Sequence, residues 1–218
     1  ESIDVEDPAI HLERLATGGG NWLFTPDASV VASDVLSRVR LDKITFNRGS
    51  VSFSDVRRGE TIRLTGVNAE AASPGLEGPW RLRGLAQLNG HPLDIAVNTG
   101  RHEPGQPFMF GIKLSSADHS GYVLSFDGAS GGQGVAGTVR LEPAAAEDGK
   151  TDAEGRIRPL VFTAQAEGNF DRVKLTQIEL ARLDGGTSDP VASGTAEVSL
   201  GQRIAATIDL EAAMLDLD

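Results

Sequence analysis

The sequence contains no cysteine, which excludes disulfide bridges, thiolate zinc sites and thiol nucleophiles. It does not indicate a compartment, since periplasmic proteins also often lack cysteine. Long apolar runs are missing too, because no stretch approaches the roughly 20 apolar residues of a transmembrane helix. The chain begins at Glu1 with neither an initiator Met nor a signal peptide, and residues 2–5 already alternate like a strand. We therefore expect a soluble piece of a longer protein.

Basic residues are few relative to acidic ones, with 20 Lys and Arg against 31 Asp and Glu, so the net charge is −11. This charge repels a phosphate backbone and an anionic membrane surface, and nucleic acid is therefore not an expected partner. The 39% of hydrophobic and 23% of charged residues are ordinary for a folded globular protein. A chain of 218 residues is long enough for one large β domain or two small ones.

Apolar and polar residues alternate with a period of two through most of the chain, which is typical of half-buried β-strands. We predict an all-β fold of antiparallel meander and hairpin repeats, forming an elongated curved sheet with at most one or two short helices. The alternation is most regular between residues 43 and 100. There we predict turns at residues 47–49 and at Asn89-Gly90, and a strand over residues 62–71 that Ser73-Pro74-Gly75 ends.

The rest of the chain extends this pattern. Two short strands are predicted around Asp7-Pro8, and residues 28–38 have an apolar spacing that fits a short helix or a loop. Residues 128–134 are predicted to be a glycine-rich turn. Further strands are predicted over residues 108–114, 122–126, 135–141, 160–168, 173–183, 195–200 and 203–210. The predicted regions are a β-meander (1–100), a further hairpin repeat (101–141), a mobile loop (142–158) and a C-terminal β-meander repeat (159–218).

A series of short motifs resembles a known protein family. Each motif is weak alone, but their order and spacing are more specific: Leu12-Glu13-Arg14, Gly20-Asn21-Trp22-Leu23-Phe24, Asn47-Arg48-Gly49, Ser54-Asp55, Leu76-Glu77-Gly78-Pro79-Trp80 and Leu88-Asn89-Gly90-His91-Pro92-Leu93. The series resembles the C-terminal region of the AsmA family of bacterial envelope proteins. The resemblance covers residues 10–100 well and residues 159–218 more loosely.

The AsmA resemblance implies a fold, a location and a function. The implied fold is a repeating β-groove whose curved sheet shields phospholipid acyl chains as they pass between the two membranes. The implied location is the periplasm, with an inner-membrane anchor outside this piece, and the implied role is outer-membrane lipid homeostasis. The partners that the resemblance implies are phospholipid acyl chains and other envelope proteins.

A degenerate internal repeat supports a stacked arrangement. The segment Gly84-Leu85-Ala86-Gln87-Leu88 resembles Gly194-Thr195-Ala196-Glu197-Val198, and Gly137-Thr138-Val139-Arg140-Leu141 resembles a shortened third copy. Repeated meanders that do not bury their apolar face alone indicate a stacked sheet rather than a closed globule.

Several catalytic patterns match in letters but not in context. Gly128-Ala129-Ser130-Gly131-Gly132 fits a nucleophile elbow, but more glycine and a predicted strand follow where a helix is needed. Residues 132–137 fit a dinucleotide fingerprint, and Gly149-Lys150-Thr151 fits the end of a phosphate-binding loop, and both lack the required helix. We therefore expect no enzymatic activity and no cofactor.

Histidines and acidic residues do not form a predicted metal site. The histidines share no ligand spacing and are each expected at the surface: His11, His91, His102 and His119. Asp55 with Arg57 and Arg58 could form a polar site. The simpler role for Asp55 is to end a strand and bond the backbone that follows it.

The remaining feature is an amphipathic sheet whose apolar face needs a cover. The predicted set is Leu82, Ala86, Leu88, Leu93, Ile95, Val97, Ala196, Val198, Ile204, Ala206, Ile208 and Leu210. In one hypothesis, acyl chains cover this set and the protein binds or conducts phospholipid. In the alternative, another sheet or residues 28–38 cover it, and the chain is a structural or protein-interaction β-sandwich of a bacterial envelope protein. A hydrolase that uses Ser130 is the third and remotest hypothesis.

Overall fold

A computed structural model describes residues 2–16, 19–21, 41–75, 77–103, 105–118, 121–131, 134–144, 160–169, 171–184, 187–200 and 204–212. Within these ranges the chain forms thirteen β-strands and no helix, so the all-β prediction is confirmed. The possible helix at residues 28–38 lies outside the described residues. So does the predicted loop over residues 142–158, except that Glu142 and Pro143 end a strand and Ala144 follows it.

The chain divides into two compact units, Glu1–Phe110 and Gly111–Asp218. The first unit contains six complete strands and the start of a seventh, and apolar residues recur at every second position along much of these strands. These strands are β1 (Ser2–Glu6), β2 (Ala9–Arg14), β3 (Leu41–Asp55), β4 (Glu60–Ser73), β5 (Arg81–Leu88), β6 (His91–Thr99) and the first residues of β7 (Phe108–Ser116).

Strand β3 organises the first unit, because three strands pair with it. Strands β1 and β2 lie end to end along one side and run parallel to it. On the other side, β4, β5 and β6 form an antiparallel meander. The two strands predicted around Asp7-Pro8 are confirmed, but they pair with β3 and not with each other. Parallel pairing of this kind departs from the predicted all-antiparallel arrangement.

The prediction of a hairpin turn at residues 47–49 is wrong. Strand β3 continues through this segment for 15 residues, and the register with β4 shifts there. Arg48 adopts a left-handed conformation, with φ of 54°, and its N–H donates to the Asn68 side-chain oxygen over 3.0 Å. The segment is therefore a β-bulge, which bends a strand without ending it.

The turn at Asn89-Gly90 is confirmed. Asn89 and Gly90 have φ of 53° and 82°, as a two-residue hairpin turn between β5 and β6 requires. Left-handed backbone at both positions favours asparagine and glycine. The predicted end of β4 at Ser73 is also confirmed.

The second unit is antiparallel, with each strand next to its neighbour in sequence. After the end of β7 it contains β8 (Tyr122–Gly131), β9 (Gly134–Pro143), β10 (Leu160–Gly168), β11 (Arg172–Asp184), β12 (Thr187–Leu200) and β13 (Ile204–Ala212). Two predicted boundaries are wrong. Gly128 lies within β8, which ends at Gly131, so part of the predicted glycine-rich turn is strand. Strand β12 begins at Thr187 instead of Thr195, and the strand tolerates Pro190 because it lies next to a register shift.

Buried hydrophobic residues in the described strands are mostly small. Alanine supplies six of the nine, and no large side chain is fully buried among the described residues. In the second unit, Ala164, Ile178 and Ala196 form a small cluster, against which Phe162 and Leu175 pack. Each unit therefore keeps much of its larger apolar surface outside a closed core.

Candidate functional site

The predicted residues of β5 and β6 lie together on one face of the first unit. Leu82 lies opposite Val97 and Ala86 lies opposite Leu93, while Ile95 lies opposite Gly84. Directly opposed residues on antiparallel strands project to the same face, and residues two apart on one strand do so as well. Leu88, two residues from Ala86, belongs to this face too.

Strand pairing extends this face across the whole first unit. Leu82 lies opposite Ala71, which lies opposite Ile44, and Leu88 lies opposite Leu64, which lies opposite Val51. The sequence-based set omitted these further apolar residues of the face: Ile3, Val5, Ile10, Leu12, Ile44, Phe46, Val51, Phe53, Ile62, Leu64, Ala69 and Ala71. Their period-two spacing was a usable signal, but the bulges between β3, β4 and β5 hid which residues align.

The second unit has an equivalent face that ends at β13. Ala196 lies opposite Ile208, Val198 opposite Ala206, and Leu200 opposite Ile204. Gly194 lies opposite Leu210, so all six predicted residues of this hairpin share the face. On the neighbouring strands the same face carries residues that the prediction omitted: Leu124, Phe126, Val139, Leu141, Phe162, Ala164, Leu175 and Ile178.

Several large side chains on these two faces are exposed and most of the others are half-buried, whereas Ile178 and several alanines are buried. Ile208 is 62% exposed and Ile62 is 54% exposed, but Ala86 is only 2% exposed. A methyl group near the backbone is shielded by longer side chains beside it, and those longer chains have no second layer above them in the described structure. Each unit thus presents an apolar surface of named residues, which we call its apolar face.

The opposite face of each unit, which we call its polar face, carries charge pairs together with a few apolar residues: Leu85 in the first unit and Val123, Val161 and Ala181 in the second. In the first unit Glu70 lies between Thr45 and Arg83 on neighbouring strands, beside an open depression of about 450 Å³. In the second unit Arg172 Nε lies 3.1 Å from Glu197 Oε1. These groups are solvent-exposed, and exposed ion pairs contribute little to stability. The charge pairs therefore mark the more polar face of each unit.

A buried ion pair fixes the end of β2 against the end of β3. Arg14 Nη1 lies 3.2 Å from Asp55 Oδ2, and the two residues are 3% and 4% exposed. The other Asp55 carboxylate oxygen, Oδ1, accepts the N–H of Arg57 over 2.9 Å. The predicted role of Asp55, ending a strand and bonding the following backbone, is confirmed. Its partner Arg14 was missed, because the two residues are 41 positions apart in sequence.

The outer edge of β2 is covered by Asn21. The Asn21 side-chain oxygen accepts the Glu13 N–H over 2.9 Å, and its amide group donates to the His11 carbonyl over 2.8 Å. Asn21 N–H also donates to the Glu13 carbonyl over 3.0 Å. One side chain thus satisfies backbone groups that would otherwise be available to another strand.

An exposed charge cluster accompanies the bulge in β3. Arg48 donates two hydrogen bonds to the Asp7 carboxylate, at 2.9 and 3.0 Å, and lies 2.8 Å from Glu6 Oε2. These hydrogen bonds hold the pKa of Asp7 below its usual value, and the same contacts raise the pKa of Arg48. The cluster holds the junction between β1 and β2 against the bulge.

Of the catalytic patterns, Gly149-Lys150-Thr151 lies outside the described residues, and the described residues of the other two lie in β8 and β9. Ser130 lies within β8, exposed and opposite Val135 of β9, so the next described element after it is a strand and not a helix. No group of three metal-ligating side chains occurs among the residues that the structure describes. His11 Nδ1 bonds the Ser52 hydroxyl over 2.6 Å, and His102 packs edge-on to Phe108. His119 lies outside the described residues.

Comparison with known proteins adds no relative. No family model, curated protein or solved structure matches the chain. Within the described ranges, no helix has the length and apolarity needed to cross a membrane. The resemblance to AsmA proteins accordingly rests on the sequence motifs.

Proposed function

We propose that the apolar faces bind phospholipid acyl chains, and that the chain is the periplasmic part of an AsmA-like protein. In this proposal the sheet shields acyl chains during phospholipid transfer between the inner and outer membranes. An anchor outside this chain holds the full-length protein at the inner membrane. The function is binding and conduction, without a chemical step.

The exposure of large apolar side chains on one face of each unit carries this proposal. Apolar surface that leaves water stabilises the covered state by about 25 cal/mol per Å². A contiguous apolar patch on a protein surface therefore marks a site for an apolar partner. Ile62 in the first unit and Ile208 in the second stand on such faces.

The residue sizes on the faces favour acyl chains over a second packed sheet. Alanine and glycine recur in the middle of the strands, as at Ala86, Ala164 and Ala196, and they leave shallow rows between the larger side chains. A sandwich core needs interdigitating side chains at crystal-like density. A fluid acyl chain fills an irregular row without a matching set of rotamers.

The AsmA motifs also coincide with structural devices in the first unit. Arg14 and Asp55 form the buried pair, Asn21 covers the edge of β2, and Asn89-Gly90 forms the turn of β5 and β6. Motif residues that build one end of a sheet and one of its hairpins are consistent with a shared architecture. The positions of these motif residues in the fold support the resemblance.

Binding of a fluorescent phospholipid to the purified chain tests the proposal. Ile62→Asp places a carboxylate on the apolar face, and Thr61→Asp places one on the opposite face of the same exposed strand. We expect roughly tenfold weaker binding for Ile62→Asp, because burying an isoleucine contributes about 1.5–3 kcal/mol. Thr61→Asp should bind like the parent chain.

Circular dichroism checks that both variants keep their strand content. Mass spectrometry of the parent chain purified from bacterial envelopes should detect bound phospholipid. The proposal fails if the parent chain binds no phospholipid in either assay, or if the two variants lose binding equally. In that case the protein-interaction β-sandwich becomes the better account.

A further inference from the structure

Strand β13 is the exposed last strand of the second unit. It pairs with β12, and no further strand pairs with it among the residues that the structure describes. All nine of its residues are exposed, including Ile204, Ile208 and Leu210. A strand of this kind offers a row of backbone donors and acceptors to another strand.

Strand β13 lacks three of the usual protections of an edge strand, which are lysine, proline and a bulge. Its sequence, IAATIDLEA, contains neither lysine nor proline, and its register with β12 has no bulge. Strand β2, by contrast, has its outer backbone groups covered by Asn21. The two charges of β13, Asp209 and Glu211, oppose pairing only where another carboxylate faces them, so the strand is fit for pairing in a register that keeps them apart.

Strand β13 is complementary to itself in one antiparallel register. With Ile208 opposite Ile208 of a second copy, the two other larger apolar residues meet small ones: Leu210 meets Ala206, and Ile204 meets Ala212. On the polar side Asp209 meets Thr207 and Glu211 meets Ala205, so no carboxylate directly faces another. All nine residues of the strand find a partner in this register.

Other registers and partners of this chain fit less well. A two-fold axis at Asp209 places that carboxylate opposite its own copy, and an axis at Thr207 leaves Glu211 and Ala212 beyond the partner strand. Pairing β13 with β1 of another copy brings Asp209 and Glu211 near Asp4 and Glu6. Like charges on directly opposed residues destabilise a sheet.

We propose that two copies of this chain associate through β13, antiparallel and with the two-fold axis at Ile208. The contact is isologous, so it closes after two copies and does not propagate into a filament. It also joins the apolar faces of the two second units side by side. The inference does not depend on what those faces bind.

Spin labels on single introduced cysteines test the register, because the chain has no cysteine of its own. In the proposed dimer the two copies of residue 204 lie eight positions apart along the strands. Labels on Ile204→Cys should therefore be separated by about 27 Å, and labels on Ala212→Cys by the same distance, at a strand rise of about 3.4 Å per residue. Oxidation of Ile208→Cys should give a covalent dimer, and oxidation of Ile204→Cys should not.

Sedimentation measurements with charge variants test the partner surface independently. In the dimer, the Thr207→Lys side chain of each copy faces Asp209 of the other copy, which makes two opposite-charge pairs. The dissociation constant of the dimer should therefore fall roughly twofold to thirtyfold. Gln165→Lys adds the same charge to the polar face of β10, which two strands separate from β13, and should leave the dimer unchanged. A parent chain that stays monomeric at all concentrations, or label distances that fit another register, would overturn the inference.

Discussion

The hairpins β5–β6 and β12–β13 carry the same repeat but differ in exposure. Gly84 and Ala86 of the first correspond to Gly194 and Ala196 of the second. Yet most apolar residues of β5 and β6 are half-buried, whereas every residue of β13 is exposed. Strands β5 and β6 have neighbours on both sides, and β13 has a described neighbour on one side only. Alternation therefore defines the face of a residue, while strand order sets its exposure.

The largest predicted effect compares the buried ion pair of the first unit with an exposed charge on β13 in the second. Asp55→Ala leaves the Arg14 guanidinium buried beside a lost partner, so the free energy of unfolding should fall by about 3–5 kcal/mol. Asp209→Ala on exposed β13 should change it by less than about 0.5 kcal/mol. Urea unfolding measures both values. Similar losses for the two variants would show that the Arg14–Asp55 pair does not hold the first unit together.

Introducing a charge into each hairpin tests the difference directly. Ala86→Asp puts a carboxylate where its neighbours exclude water, and we expect the free energy of unfolding to fall by about 3 kcal/mol. Ile208→Asp puts the same group on an open edge where it stays hydrated, and we expect the free energy of unfolding to fall by less than about 1 kcal/mol. Thermal unfolding followed by circular dichroism compares the two. If Ile208→Asp unfolds the chain as Ala86→Asp does, the second face is a closed core.

Gly84 provides a smaller and more local test within β5. A Cβ at this position would collide with the Asn68 carbonyl oxygen and with Ala69 of the next strand. Gly84→Ala should therefore lower the free energy of unfolding by about 1–3 kcal/mol, because the backbone must move to admit the methyl group. Gly75→Ala is the matched control, since open space surrounds that position. Equal stability of the two variants would contradict the close approach of β4 and β5.

The smallest predicted effect concerns the bulge in β3. Because β3 continues through this bulge, its apolar residues on both sides of it share one face. The Arg48 hydrogen bonds lower the pKa of Asp7 in the folded chain. Their stabilisation is present above the unfolded pKa and is lost as pH falls through the lowered folded value. Arg48→Gln should raise the pKa of Asp7 toward its ordinary value in an NMR titration. No change in that pKa would mean that the contact does not persist in solution.

Sequence reasoning recovered the elements that local chemistry controls. The alternation located the strands, and Asn89-Gly90 fixed one turn, because both signals lie within a few residues. Asn47-Arg48-Gly49 was misread, since an asparagine and a glycine with left-handed propensity suit a turn and a bulge equally well. Whether a strand continues past such a segment depends on its neighbours, here β1, β2 and β4.

The candidate site was recovered only in part for the same reason. The two hairpins stood out because their paired strands are adjacent in sequence. Residues of β1 and β2 join the apolar face through parallel pairing with β3, more than 30 positions away. The Arg14–Asp55 pair and the Asn21 cap depend on this pairing as well. No local pattern carries the register of such distant strands.

Photo-crosslinking in bacterial envelopes tests the central claim most directly. A photoreactive residue at Val198 or Ile208 would point from the apolar face, and one at Glu197 or Asp209 from the polar face of the same strands. We predict phospholipid adducts at the first two positions and none at the other two. Equal adducts on both faces, or no adducts at any position, would contradict an acyl-chain-binding face.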